Sequence, residues 1–383
     1  MARALAGARI FTGETILEGH AAVVEDGRIL AVLPQAAAAG LPTRHLDPGC
    51  LLAPGFIDVQ VNGGGGVLLN DRPDVEAIRA IGAAHRRFGT TGFLPTLITD
   101  TRERMTAAIE AVRAARAEGV PGVLGLHLEG PFLNAERKGV HDPALIRAME
   151  EEDVALIAGA AGLGRVLVTL APEAVPDAVI ARLAGAGVIV AAGHTAAGYE
   201  RVRSALAHGL TGFTHLFNAM TPQTGRAPGV VGAALDDAGS WCGLIADLHH
   251  VHPATLRVAI AAKRRGRMML VTDAMPTVGV DADRFDLLGR TVRRSDGRLT
   301  TDDGTLAGSD LDMATAVRNC VDHLGLPVEE ALRMASLYPA GFLGLDGELG
   351  SIAPGRRADL VLLDAGLSVV ETWIGGVSSA TGA

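Results

Sequence analysis

The sequence predicts an α/β protein, a (β/α)8 TIM-type barrel with a small β-sandwich domain built from both termini. Eight short apolar runs recur along the chain: GFIDVQV, GFLPTLI, VLGLHLE, RVLVTLA, VIVAAGH, GFTHLFN, CGLIADLH and RMMLVTDA. A closed parallel barrel needs eight strands, and strands buried on both faces read as continuous Val, Ile and Leu runs. Ala-, Arg- and Glu-rich segments with helical spacing follow many of these runs, at 74–87, 101–118, 143–159, 176–186, 197–208 and 253–265. Such segments suit the outer crossover helices.

The termini read differently. Residues 1–53 alternate ARIFTG, AAVVEDGRILAV and GCLLAP with turn signals such as Asp26-Gly27, the pattern of an antiparallel sheet. ELGSIAPG, ADLVLLD and ETWIGG resume that texture near the C-terminus. The expected domains are therefore 1–53 plus 347–383 as one β unit, and 54–346 as the barrel. Residues 276–310, rich in Gly, Asp and Thr, read as an excursion after the eighth strand, followed by helices in MATAVRNCVDHLG and VEEALRMASLYPAGFLG. Gly63 to Gly66 read as a flexible loop, since they match no phosphate-binding glycine pattern.

Composition bounds the function. The 383 residues are 48% hydrophobic and 20% charged, enough apolar side chain for a large core. A formal charge of −9 argues against a broad nucleic-acid surface while leaving room for one cationic pocket and a small anionic ligand. Cys50, Cys242 and Cys320 are far apart in the chain and suggest neither a disulfide framework nor a zinc ribbon. With no signal-peptide pattern and no apolar run of spanning length, a cytoplasmic enzyme without membrane contact is expected.

Five of the eight runs end in a residue that can bind a metal or move a proton: Glu129, His194, His215, His250 and Asp273. The C-terminal ends of barrel strands open into loops, where polar side chains can act. Glu129, His194 and His215 supply one carboxylate and two imidazoles, a donor set that suits one Zn²⁺ with a position left open; Fe²⁺, Co²⁺ or Mn²⁺ also fit it. Asp273 is placed to act as general base and then general acid. Asn218, Arg226, His250 and His141 form a second polar set on loops, of the kind that a phosphorylated substrate requires. No G-x-S-x-G elbow supports a serine hydrolase.

These segments together resemble the N-acetylglucosamine-6-phosphate deacetylases of the amidohydrolase superfamily. The resemblance rests on PGFIDVQVNG (54–63), HLEGPFLN (127–134), KGVHDP (138–143), GHT (193–195), THLFNAM (214–220), LIADLHHVHP (244–253), LVTDAM (270–275) and LAGS (306–309). It implies Glu129, His194 and His215 as metal ligands and Asp273 as the catalytic acid/base. It further implies that His141 contacts the substrate carbonyl and that Asn218, Ala219, Arg226 and His250 contact the sugar phosphate, within a homodimer. The implied reaction is hydrolysis of an acetamide on a small phosphorylated amino sugar. N-acetylgalactosamine 6-phosphate, another N-acyl substrate and a catalytically silent scaffold are the alternatives. One departure from the superfamily bears on the metal count. Where the first strand there often ends in H-x-H, this chain has Gln60-Val61-Asn62, whose neutral amides are poor ligands, so a single metal is expected.

Overall fold

A computed structural model describes residues 1–381. Each of the eight apolar runs contributes to a strand of one parallel sheet, GFTHLFN only through Gly212 and Phe213 because residues 214–218 turn away: β1 (Phe56–Val61), β2 (Thr90–Ile98), β3 (Gly125–Glu129), β4 (Arg165–Leu170), β5 (Ile189–Ala192), β6 (Leu210–Phe213), β7 (Trp241–Ile245) and β8 (Met268–Val271). Each strand pairs with the next in chain order. The first and last close the ring, since Asp273 N–H donates to Gln60 O at 3.0 Å and Asn62 N–H to Ala274 O at 3.0 Å. The TIM-type barrel read from the sequence is the fold of the chain.

Seven helices alternate with the strands: α1 (Val75–Arg86), α2 (Arg102–Ala117), α3 (Glu151–Gly159), α4 (Asp177–Gly185), α5 (Tyr199–Ala207), α6 (Gly229–Asp236) and α7 (Pro253–Ala262). Two differ from expectation. Residues 143–150 are not helical, and α3 starts late. Its first turn is set by Asp153, which accepts from the Glu150 N–H at 2.9 Å and is also held by Arg147 and Arg102. The helix α6 had no sequence signal, because GVVGAALD carries no charge before Asp236 and nearly all of it is buried. After β8 the excursion folds into an antiparallel three-stranded sheet, 284–287, 290–295 and 298–301.

Gly63 and Gly64 do not form an irregular loop. They pair with Val67 and Leu68 as a tight hairpin, with Gly65 and Gly66 at φ 64° and 82° and their N–H groups bonded to Val278 O and Pro276 O at 2.8 Å. A Cβ at Gly63 would lie 2.5 Å from Val67 O, so only glycine permits that approach.

The chain divides into two compact units, one of residues 59–84 and 93–311, the other of 1–58, 85–92 and 312 onward. In the latter, two sheets face each other as a sandwich. One joins strands at 3–6, 20–25, 28–34 and 43–45; the other sets three N-terminal strands (16–17, 9–11, 51–54) beside three C-terminal ones (360–363, 369–374, 377–378), joined where 51–54 pairs with 360–363. Leu52 opposes Leu362 directly, and Leu5, Ile10, Val24, Ile29, Leu360 and Trp373 share the apolar core. ELGSIAPG forms no strand, and VEEALRMASLYPAGFLG breaks into two helices at Ser336. Residues 382 and 383 of the expected β domain lie outside the described residues.

Candidate active site

The barrel strands aim their last residues into a cavity of about 340 Å³. Glu129 ends β3, while His194, His215 and Asp273 follow β5, β6 and β8 within two residues. Three of the four leave the strand in left-handed backbone, with φ of 49° at His194, 32° at His215 and 53° at Asp273. That conformation costs a non-glycine residue on the order of 1 kcal/mol or more, and here it turns each side chain inward at the strand end.

The inward turn brings Glu129, His194 and His215 together. His215 Nε2 lies 2.9 Å from Glu129 Oε1 and 3.1 Å from His194 Nε2, and His194 Nε2 is 3.3 Å from the same carboxylate oxygen. Ligands about 2.0–2.1 Å from a tetrahedral ion stand roughly 3.3 Å from one another, so the donor set fits one divalent cation. His194 is held from behind, its Nδ1 bonded to Arg137 O at 2.8 Å, which leaves Nε2 for the cluster. The loop that carries it is tied down by Glu173, whose carboxylate accepts from Thr195 Oγ1 at 2.5 Å, Ala196 N at 2.6 Å and Asn134 Nδ2 at 2.9 Å. Donor atoms of Glu129, His141 and His194 also lie within 4.8 Å of one another. His141 therefore stands at the edge of the set, with its Nδ1 2.7 Å from Thr99 Oγ1.

The electrostatics separate the two carboxylates. Burial opposes ionisation of Glu129, but hydrogen bonds with His194 and His215 outweigh it and hold the carboxyl well below its ordinary range. Burial pushes Asp273 up to about 6, aided by the nearby charge of Glu129. Burial also lowers His141, reinforced by His194, so its ring is neutral near pH 7. One carboxylate is thus suited to stay charged beside a cation, while the other can exchange a proton not far below neutral pH.

Gln60 and Asn62 line up on Asp273. Gln60 Nε2 lies 3.1 Å from Asp273 Oδ1 and 3.2 Å from both oxygens of Glu129, and Asn62 Nδ2 is 2.7 Å from Asp273 Oδ1. Their amides thus donate into the place where a second cation would have to sit. Asn218, Ala219 and His250 line the cavity, with His250 Nδ1 held 2.6 Å from Asp247 Oδ2. Arg226 does not line it; it is exposed on the loop before α6. In LIADLHHVHP, His252 caps α7 instead, accepting from Ala254 N–H at 3.1 Å. The sequence reading missed two contributors, Thr99 behind His141 and Gly304–Leu306 in the cavity wall. Thr99 directly follows β2 and carries no charge or metal-binding group to single it out, and Gly304 and Thr305 precede the LAGS motif in a Gly- and Asp-rich turn.

A model described as the amidohydrolase family matches residues 51–378, and one described as the NagA composite domain matches 3–48. The chain belongs to the amidohydrolase family. With its buried donor cluster, it is a metal-dependent hydrolase. This amidohydrolase is 43% identical over 373 residues to an N-acetylgalactosamine-6-phosphate deacetylase of Shewanella sp. (strain ANA-3), covering 97% of this chain and 94% of that one. It is 36% identical to an N-acetylglucosamine-6-phosphate deacetylase of Haemophilus influenzae, covering 98% and 99%. Among solved structures, N-acetylglucosamine-6-phosphate deacetylase of Pasteurella multocida superposes with a TM-score of 0.96 at 36% identity, over 99% of this chain and 100% of the other. A substituted form of the Mycobacterium smegmatis enzyme in complex with N-acetyl-D-glucosamine-6-phosphate superposes at 0.90, with 32% identity over 99% and 98%.

Proposed function

We propose that this amidohydrolase hydrolyses the acetamide of N-acetyl-D-glucosamine 6-phosphate to acetate and D-glucosamine 6-phosphate. The observation that carries the proposal is the convergence of Glu129, His194 and His215 with a separately poised Asp273 in one cavity. Relatives named for this reaction, at 36–40% identity, support it. Glu129, His194 and His215 would hold one divalent ion, Zn²⁺ by donor preference, which when bound polarises a carbonyl and makes water more acidic.

The remaining work falls to side chains. Asp273 accepts two amide N–H groups at Oδ1, and no described group bonds Oδ2. That oxygen would take the proton of the attacking water and then deliver it to the departing amine nitrogen. Neutral His141, which receives the Thr99 N–H at Nδ1 across 3.4 Å, would donate from Nε2 to the carbonyl oxygen as negative charge develops there. Asn218, Ala219 and His250 would receive the sugar phosphate, with Arg226 supplied by the second subunit of a homodimer in the cytoplasm. Residues 1–53 and 347–383 would serve as the supporting β domain and 54–346 as the catalytic barrel.

A second reading is favoured by the relatives at 43% and 39% identity that are named for the galacto epimer. Acetate release from N-acetylglucosamine 6-phosphate, N-acetylgalactosamine 6-phosphate and unphosphorylated N-acetylglucosamine decides among them. Preference for the first supports the proposal, preference for the second moves the substrate to its epimer, and inactivity on both phosphates rejects the reading.

A further inference from the structure

Directly beneath the donor cluster, the barrel interior is polar where such barrels are ordinarily filled by Val, Ile and Leu. His127 lies two residues before Glu129 on β3, hence on the same face of the strand, and is wholly buried. Its ring spans neighbouring strands, with Nδ1 3.3 Å from Thr96 Oγ1 on β2 and Nε2 2.8 Å from Thr169 Oγ1 on β4. Thr169 Oγ1 in turn meets Thr214 Oγ1 at 2.6 Å. Thr96 Oγ1 also accepts the N–H of Val61 at 2.9 Å.

Each end of this chain abuts a residue next to the site. Val61 sits between Gln60 and Asn62, and Thr214 immediately precedes His215. Gly193 immediately precedes His194, and a Cβ there would lie 2.6 Å from Thr169 Cγ2 and 3.1 Å from Thr214 Cβ. The backbone before His194 therefore rests on the two threonines at a distance no other residue could keep. A buried polar layer is unfavourable unless its members are satisfied, and these four bond to one another and to nearby backbone, Thr96 Oγ1 donating to Leu94 O at 3.2 Å and the His127 ring bonding the Val59 backbone.

We propose that His127 is a positioning residue, whose ring, clamped between Thr96 and Thr169, joins Thr214 in a hydrogen-bonded floor that sets the spacing of Glu129, His194 and His215. The role rests on the metal-site reading above, and it acts through the ligands rather than on the substrate. Partners behind metal ligands typically change metal affinity or activity by 10–100-fold when removed.

The test is Zn²⁺ affinity of the full-length protein, by competition with a chromophoric chelator. His127→Leu, which keeps bulk without hydrogen bonds, is expected to bind Zn²⁺ about 10–100-fold more weakly. At saturating Zn²⁺ its kcat falls while KM stays near the wild-type value. His127→Gln, which can still reach Thr169, recovers part of both losses. Thr169→Val, which removes one hydroxyl at nearly constant volume, shows the same direction of change and carries the test if the leucine variant does not fold. Wild-type affinity and kcat in Thr169→Val, or in a folded His127→Leu, overturns the proposal. Glu129→Gln, measured in parallel, separates the two readings: loss of binding there with unchanged His127 and Thr169 variants rejects the floor alone. Unchanged binding in Glu129→Gln rejects the donor set and the floor together.

Discussion

Asn62 donates from Nδ2 to Asp273 Oδ1 across 2.7 Å, and this bond fixes which oxygen of the carboxylate remains for chemistry. Gln60 donates to the same oxygen at 3.1 Å. With Oδ1 doubly occupied, the proposed proton transfer would fall to Oδ2. Asp273→Asn keeps both acceptor bonds and the shape of the site while removing the base. Steady-state assays are expected to show turnover lower by about 10²–10⁴-fold, with substrate affinity by direct binding within a few-fold of wild type. Unchanged turnover removes Asp273 from the mechanism.

The raised pKa of Asp273, about 6 in the metal-free protein, predicts how metal-free stability depends on pH. An unfolded Asp titrates near 3.9. Between roughly pH 4 and 6 the folded protein therefore holds a proton that the unfolded chain has lost, so lowering the pH through this window favours folding. Above it, the buried charge is a standing cost of about 3 kcal/mol. Asp273→Asn removes that cost. The metal-free variant should melt higher than metal-free wild type at pH 7.5, with the difference shrinking toward pH 4. A gap that widens on acidification contradicts the assignment. In the loaded enzyme a cation near Asp273 favours its carboxylate, so the acid limb of the kcat/KM profile is expected at or below pH 6.

Metal stoichiometry tests the Gln60 and Asn62 amides. Both direct N–H groups toward carboxylate oxygens, and neutral amides are poor ligands for a second transition ion. Protein stripped by chelator and titrated with Zn²⁺ should regain full acetate release at one equivalent per chain. Restoration only at two equivalents means that a second ion displaces those amides.

The barrel was legible because parallel strands buried on both faces are read as apolar runs whatever their partners, and because five of the eight runs lead into a residue that can bind a metal or move a proton. Glu129, His194, His215 and Asp273 stood out for that reason. Partnerships across strands were not legible. Nothing in the sequence ties His127 to Thr169, 42 residues away, although its two-residue offset from Glu129 places it on the ligand face. The helix α6 was hidden because a buried helix without charges has the same composition as a buried strand. Arg226 was legible as a cation that could meet a phosphate, but its place relative to the cavity is a property of the fold.

That place leads to the last prediction. Arg226 is exposed and absent from the cavity lining, whereas Asn218 and Ala219 on the same connection line it. If a second subunit supplies Arg226, each active site combines Asp273 of one chain with Arg226 of the other. Arg226→Ala alone should raise KM for the phosphorylated substrate by about tenfold or more, as loss of a charge-assisted bond worth 1.5–3 kcal/mol implies, and leave unphosphorylated substrate unaffected. Mixing Arg226→Ala with Asp273→Asn, both in excess of the subunit exchange constant, then creates heterodimers in which one of the two sites contains both wild-type residues. Activity at low substrate should rise above that of either variant, toward a quarter of wild type for random exchange. If Arg226 served its own chain, the mixed dimers would contain no complete site, and the mixture would only average its two components.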